Sequence, residues 1–260
     1  MTARRSRRAA VRPLGGRVAV VTGAGRGLGR AIAEGLAATG ARVVVAARTR
    51  TSIRTTAQAI ERAGGHAAAI PCDVRDPASV ESLIQQTLSY GGRLDILVNS
   101  AGVFQIAALA DTGEPLWESI LATNLTGAYR VTRAALAPLV RSRGHIVNMI
   151  SVAGKTTFPG NAAYCASKWG LLGFTNVLRD ELRPLGVRVT AVFPGAVDTP
   201  IWDTVAGRWD RTHMLRPEAV AKTVVDACCT PDDASIDEIT ILPGSATRPR
   251  TTARSRRPAR

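Results

Sequence analysis

A short β-branched run at 17–21 leads straight into Thr22-Gly23-Ala24-Gly25-Arg26-Gly27-Leu28-Gly29, and an amphipathic helical pattern follows at 28–38, closed by Gly40. Strand, glycine turn and helix in that order bring backbone amides and a helix N-terminus together around an anion. Gly23 allows the tight turn, Gly27 lets backbone approach a pyrophosphate, and Gly29 permits close packing of helix on strand. Leu28 belongs to the same expected binding loop. A βα unit of this kind needs parallel neighbours to bury its strand, so the loop constrains the whole chain.

The neighbours are legible. Strand patterns fall at 41–48, 66–71, 94–98, 144–150, 187–193 and 236–242, with helical patterns at 51–63, 77–90, 114–141, 162–185 and 217–228. Most strand runs are apolar throughout, as strands covered on both faces are. The alternation implies right-handed crossovers and an α/β fold, a doubly wound parallel sheet of about seven strands in a single domain.

Charge separates that domain from its ends. The net charge is +14, but residues 1–13 carry five arginines, residues 245–260 carry six, and neither segment has an acid. The stretch 14–244 therefore holds only +3. Basic disordered tails flanking a nearly neutral domain are the expectation. No specific nucleic-acid partner is implied, since only the tails could touch a polyanion. No run approaches the ~18 apolar residues of a membrane span. The first residues lack the apolar core of a secretory signal. Cys72, Cys165, Cys228 and Cys229 have neither metal-ligand spacing nor a disulfide framework. Reduced thiols in a cytoplasm, and no metal, are expected.

Ligands of such sheets lie beyond the carboxyl ends of the strands. The residues there are Asp73 and Val74, the run Asn99-Ser100-Ala101-Gly102, Ser151, and Pro194-Gly195. Asn124 sits within the long helical pattern, where an Asn with Gly127 nearby could bend the helix and free a carbonyl. Tyr164 and Lys168 are four residues apart on a helix and share one face. An ammonium close to a phenol stabilises the phenolate, so the Tyr164 pKa is expected to fall from its usual value, making it a general acid or base. The end of the second strand selects the cofactor. An acid there would hold a ribose 2′-hydroxyl, whereas Ala47 and Arg48 stand there with Arg26 in the glycine loop. Two guanidiniums and no carboxylate favour the 2′-phosphate of NADP(H) over NAD(H).

Taken in order, Thr22-Gly23-x-x-x-Gly27-x-Gly29, Asp73, Asn99-x-Ala101-Gly102, Asn124, Ser151, Tyr164-x-x-x-Lys168 and Pro194-Gly195 with Thr199 resemble the short-chain dehydrogenase/reductase family over roughly 14–243. The resemblance implies a Rossmann-like fold and a role for each residue. Tyr164 would be the proton donor and acceptor, with Lys168 lowering its pKa and holding the nicotinamide ribose. Ser151 would bind the substrate oxygen and Asn124 would support a water chain to Lys168. Asp73 would bind adenine, Asn99 to Gly102 would pack along the adenosine ribose, and Thr199 would reach the carboxamide. The family's doubled asparagine is Asn99-Ser100 here, and the ending at 237–243 lacks the Val-Asp-Gly-Gly common in its acyl-carrier-protein reductases.

An NADP-dependent oxidoreductase acting on a ketone or secondary alcohol is the first reading. A 3-oxoacyl reductase and a catalytically silent dinucleotide-binding regulator remain as alternatives. A lid is expected at 199–216, and Phe104, Gln105, Phe158, Pro159, Trp202, Trp209 and Met214 are candidates for the pocket wall. Extra apolar positions on the two long helices (Trp117, Leu121, Trp169, Leu172, Phe174) point to a homodimer or homotetramer, because these helices pair across subunits in the family.

Overall fold

Each strand alternates its side chains between two faces, and here both faces are covered. In the computed structural model, which describes residues 12–244, the strands are β1 Val18–Thr22, β2 Arg42–Ala47, β3 His66–Pro71, β4 Ile96–Asn99, β5 His145–Met149, β6 Arg188–Pro194 and β7 Glu238–Ile241. The helices are α1 Gly27–Ala38, α2 Arg50–Arg62, α3 Pro77–Gly91, α4 Glu114–Leu121, α5 Gly127–Ser142, α6 Ala162–Leu182 and α7 Pro217–Cys228. The sheet has seven strands in the order β3-β2-β1-β4-β5-β6-β7, and every pairing is parallel. Ala19, Val21, Val43 and Val45 face α1, α2 and α7, which contribute Ile32, Leu36, Ile53 and Val224. Val20, Val44, Leu97 and Ile146 face α3, α5 and α6, through Leu83, Leu139 and Leu182. The expected disorder of the tails 1–13 and 245–260 concerns residues that lie outside the described ones, apart from Arg12 and Pro13.

Two helix readings change. The pattern at 114–141 is not one helix, because a π-helical turn, Ala122–Thr126, separates α4 from α5. Asn124 occupies that turn, and its amide pairs with the backbone of Val103 in both directions (2.8 and 3.0 Å). The wider turn lets the side chain reach a loop from another part of the chain, a common use of π turns near functional sites. The helix expected to reach 185 ends at Leu182, since Pro184 cannot donate to a continuing ladder, and a 3₁₀ turn follows.

At the other end of the sheet, His145 is buried and its Nε2 lies 2.7 Å from Thr190 Oγ1. Thr190 donates to Ile236 O, so the hydroxyl accepts from Nε2–H and the ring is neutral, with Nδ1 unpartnered. Burial, aided by the charges of Arg188 and Arg17, pushes its pKa down to about 3. The unfolded chain then binds a proton that the fold cannot, so stability should fall as pH drops from about 6.5 towards 3. Urea midpoints from pH 7 to 4 should decline less steeply in His145→Gln. Equal slopes would remove His145 as the cause.

Candidate active site

Chain order reverses between β1 and β4, and a cleft opens at the carboxyl ends of the strands there. Its volume is about 1340 Å³, above the ~300–1,000 Å³ of a usual small-molecule site, so it has room for two reactants. The glycine loop forms one wall. Thr22, the last residue of β1, accepts from the amides of Ser100 and Ala101 (both 3.1 Å) and donates to Val98 O. Gly23 turns with φ +68°, and a Cβ on it would stand 2.8 Å from Ala101 Cα. On Gly29 a Cβ would stand 2.6 Å from Gly23 O. These contacts interlock the 22–29 and 99–102 loops, leaving backbone to face the cleft. Gly23, Arg26, Gly27, Leu28, Gly29, Ala101 and Gly102 all line it.

At the β2 and β3 end stand Ala47, Arg48, Asp73, Val74 and Arg75. Arg75 grips Asp73 with Nε and Nη2 (3.0 and 2.7 Å) and also donates its backbone N–H to Oδ1. That grip holds the Asp73 carboxyl below the usual range, partial burial opposing it and Arg48 assisting. Arg75 was missed by sequence reasoning, although its place two residues after Asp73 was a usable signal. Pro194, Gly195 and Thr199 line the opposite side.

Of the two asparagines, Asn124 stands at a distortion of the helical pattern, as its sequence context implied, whereas Asn99 does not line the cleft. Asn99 is 4 % exposed, and its amide donates to Thr132 Oγ1 and Asn148 Oδ1 (2.9 and 2.8 Å). It ties the sheet to α5 beneath the cleft, and the wall there is Ser100 to Gly102 instead. Asn124 is also fully buried, bound to Val103 and to Ser167 Oγ (3.1 Å). Both amides were drawn inward because a buried amide needs partners, and these lie behind the wall.

Ser151, Tyr164 and Lys168 share the wall beyond β5. Ser151 has φ +146° and ψ 159°. That region is close to glycine-only, and a side chain held there costs roughly 1–3 kcal/mol. Its Oγ accepts from Ala153 N (3.1 Å), which fixes the hydroxyl. Tyr164 keeps part of its ring open to the cleft, with the edge of Phe104 against it at 4.7 Å. Lys168 is buried one turn on. Its Nζ lies 5.6 Å from the centre of the Tyr164 ring and donates to Met149 O (2.9 Å).

The expected depression of the tyrosine pKa is reversed in this structure. Burial pushes Tyr164 up to about 12, against the pull of the Ser151 hydrogen bond and with a small contribution from Cys165. Burial likewise pushes Lys168 down to about 8. Desolvation is the largest cause for both groups, and the ammonium is engaged by a carbonyl rather than by the phenol. At neutral pH the wall thus presents a protonated phenol, able to give a proton to an oxygen bound beside Ser151. Phe104, Phe158, Pro159, Trp202 and Trp209 also line the cleft, whereas Gln105 and Met214 do not.

A family model described as short chain dehydrogenase matches residues 17–208. The short-chain reductase protein NovJ of Streptomyces niveus is 40% identical over 220 residues, covering 83% of each chain. The ketoacyl reductase HetN of Nostoc sp. is 38% identical over 217 residues, 82% of this chain and 76% of that one. A variant of the actinorhodin polyketide ketoreductase, solved with NADPH, superposes with a TM-score of 0.81 at 35% identity, covering 88% of this chain and 96% of the other.

Proposed function

The chain belongs to the short-chain dehydrogenase family, and we propose that Tyr164, Ser151 and Lys168 carry its reaction, with Asn124 as a positioning residue behind them. It is an oxidoreductase that transfers a hydride between NADP(H) and a ketone or secondary alcohol. The observation that carries the residue assignment is that Ser151, Tyr164 and Lys168 share a wall of the cleft into which the glycine loop opens.

The residues present fit a dinucleotide phosphate. The backbone of the 22–29 loop is bare at Gly23 and Gly29, where a Cβ would collide with neighbouring backbone. Arg26 and Arg48 supply cations with no acid at Ala47, and Asp73 is oriented by Arg75. When bound, the cofactor supplies or accepts the hydride. The protein's share is to hold the substrate oxygen between the Ser151 hydroxyl and the Tyr164 phenol. Tyr164 then gives its proton to that oxygen in reduction and takes it back in oxidation. Lys168, charged below its pKa of about 8, stabilises the phenolate left behind. Asn124 pins Val103, and so the 101–104 segment whose Phe104 backs Tyr164.

A panel of ketones scored by loss of NADPH absorbance tests the activity, and complete inertness would sink the residue assignment. Cofactor choice is checked separately. Arg48→Ala should weaken NADPH binding roughly ten- to a hundred-fold, the loss of a charge-assisted contact worth ~1.5–3 kcal/mol. Ala47→Asp should move preference towards NADH, because a carboxylate repels a 2′-phosphate but accepts from a free ribose. An unchanged NADPH/NADH ratio in both variants would place the phosphate site elsewhere.

A homodimer or homotetramer is proposed as well. Trp117 on α4, Tyr129 on α5, and Trp169 and Val177 on α6 are 37%, 44%, 48% and 53% exposed, a large apolar cost for a monomer to leave in water. Light scattering at micromolar concentration should give at least twice the 27.4 kDa chain mass, and a monomer would count against it. Among the described residues no helix is long and apolar enough to cross a membrane. A cytoplasmic location is proposed from the four free cysteines, and thiol labelling of protein taken directly from cells should find them reduced.

A further inference from the structure

The strand order divides the cleft. Arg48, Asp73 and Arg75 lie beyond β2 and β3, whereas Ser151 and the 199–209 segment lie beyond β5 and β6, on the other side of the β1–β4 switch. The two ends differ in chemistry. The first is lined with arginines, and the second with rings.

The chain has eleven aromatic residues: four Trp, three Tyr and four Phe. Six of them line the cleft; Phe193 is buried in its wall, and the other five (Phe104, Phe158, Tyr164, Trp202 and Trp209) keep part of their surface open. The core makes little use of rings, and Phe193 alone among the eleven is buried there. Four of the five make a continuous row that starts at the proposed acid. Phe104 meets Tyr164 at 4.7 Å and Trp202 at 5.5 Å, both edge-on, and Trp202 lies 5.0 Å from Trp209 at 48°. The row is held in place, since the Trp202 indole N–H donates to Val197 O (2.9 Å).

Lys155, Lys168 and Arg211 at this end each already have a partner. Lys155 lines the cleft but is bound to Glu238 (2.5 Å), with its ammonium over the Phe193 ring. Lys168 donates to Met149 O and, in the catalytic reading, its charge faces the Tyr164 phenolate. Arg211 bridges Asp198 and Asp203. A charged substrate tail would find no free counter-ion among these groups.

We infer that the non-reacting part of the substrate is a flat, aromatic, uncharged group, held against the rings that run from Tyr164 to Trp209. This rests on the catalytic reading given above and adds the substrate class to it. A saturated group of equal size would recover only the apolar area. A ring also gains the edge and offset contacts that aromatic pairs make beyond burial, about two- to ten-fold in affinity for each contact.

The test compares 1-tetralone with 1-decalone, which share a bicyclic ketone skeleton and differ in whether one ring is aromatic. Affinity is read by calorimetry on the NADP-loaded enzyme, and KM by NADPH absorbance. Tetralone should bind about ten-fold tighter or better. Trp209→Phe, which keeps a ring, should retain the preference, and Trp209→Leu should lose most of it. Equal affinities in the wild type overturn the inference, as does a preference untouched by Trp209→Leu. If both ketones are reduced with equal KM, the catalytic reading survives and the aromatic site falls. If neither is reduced but tetralone binds tighter with the stated variant pattern, the aromatic site stands and the catalytic reading falls.

Discussion

Tyr164→Phe is expected to lower kcat by ~10²–10⁴-fold, the usual contribution of a positioned general acid, while cofactor affinity and folding stay near wild type. Only a hydroxyl is removed. The edge contact with Phe104 is made by the ring, which the variant keeps. Without the phenol, the developing alkoxide must take its proton from water. The pH dependence separates the two candidate groups. Reduction should not lose its donor near neutrality, because Tyr164 sits at about 12. An inflection near 8 in the free enzyme belongs to Lys168 instead. Oxidation should increase with pH as the phenolate forms. The measurement is kcat and kcat/KM against pH for wild type and variant, with cofactor binding followed by fluorescence. A Phe variant that keeps more than about a tenth of the activity would mean that the acid is another group.

Lys168→Met should make the protein less active and more stable. Loss of the ammonium removes the charge that stabilises the phenolate, so kcat falls, and it removes the proposed ribose contact, so cofactor Kd increases. Stability moves the other way because burial drives the lysine pKa from 10.5 to about 8. A shift of that size costs the fold about 3 kcal/mol while the group is charged in both states, less ~1 kcal/mol for the hydrogen bond to Met149 O. The sign follows from proton counting. Below about pH 8 both states are protonated and the full penalty applies; between 8 and 10.5 only the unfolded chain keeps its proton, so wild-type stability increases with pH. Urea unfolding without cofactor should therefore place Lys168→Met above wild type at pH 7, with the gap closing towards pH 10. A variant less stable than wild type at pH 7 would show that the ammonium holds the site together rather than straining it. Ser151, held at φ +146°, is a second residue whose placement costs stability. Two such residues on one wall fit a site shaped by chemistry more than by folding.

Chain order and periodicity were enough for the sheet. An all-apolar strand must be covered on both faces, a glycine turn between strand and helix has one common use, and both signals are local. The strands were therefore placed within a residue or two, and the nucleotide loop, Arg48, Asp73, Ser151, Tyr164 and Lys168 all came to one cleft. What depended on partners distant in sequence was not legible. Asn99 looked like a strand-end ligand residue until Thr132 and Asn148 closed around its amide. Asn124 could be guessed to bend a helix, but not to do so by binding Val103. Spacing put Lys168 beside Tyr164, which argues for a lowered tyrosine pKa, yet a pKa is set by the balance of attraction and desolvation. The sequence alone determined which residues stand at the strand ends and which share a helix face. How deeply they are buried, and so which way their protons move, was decided by elements packed over them from elsewhere in the chain.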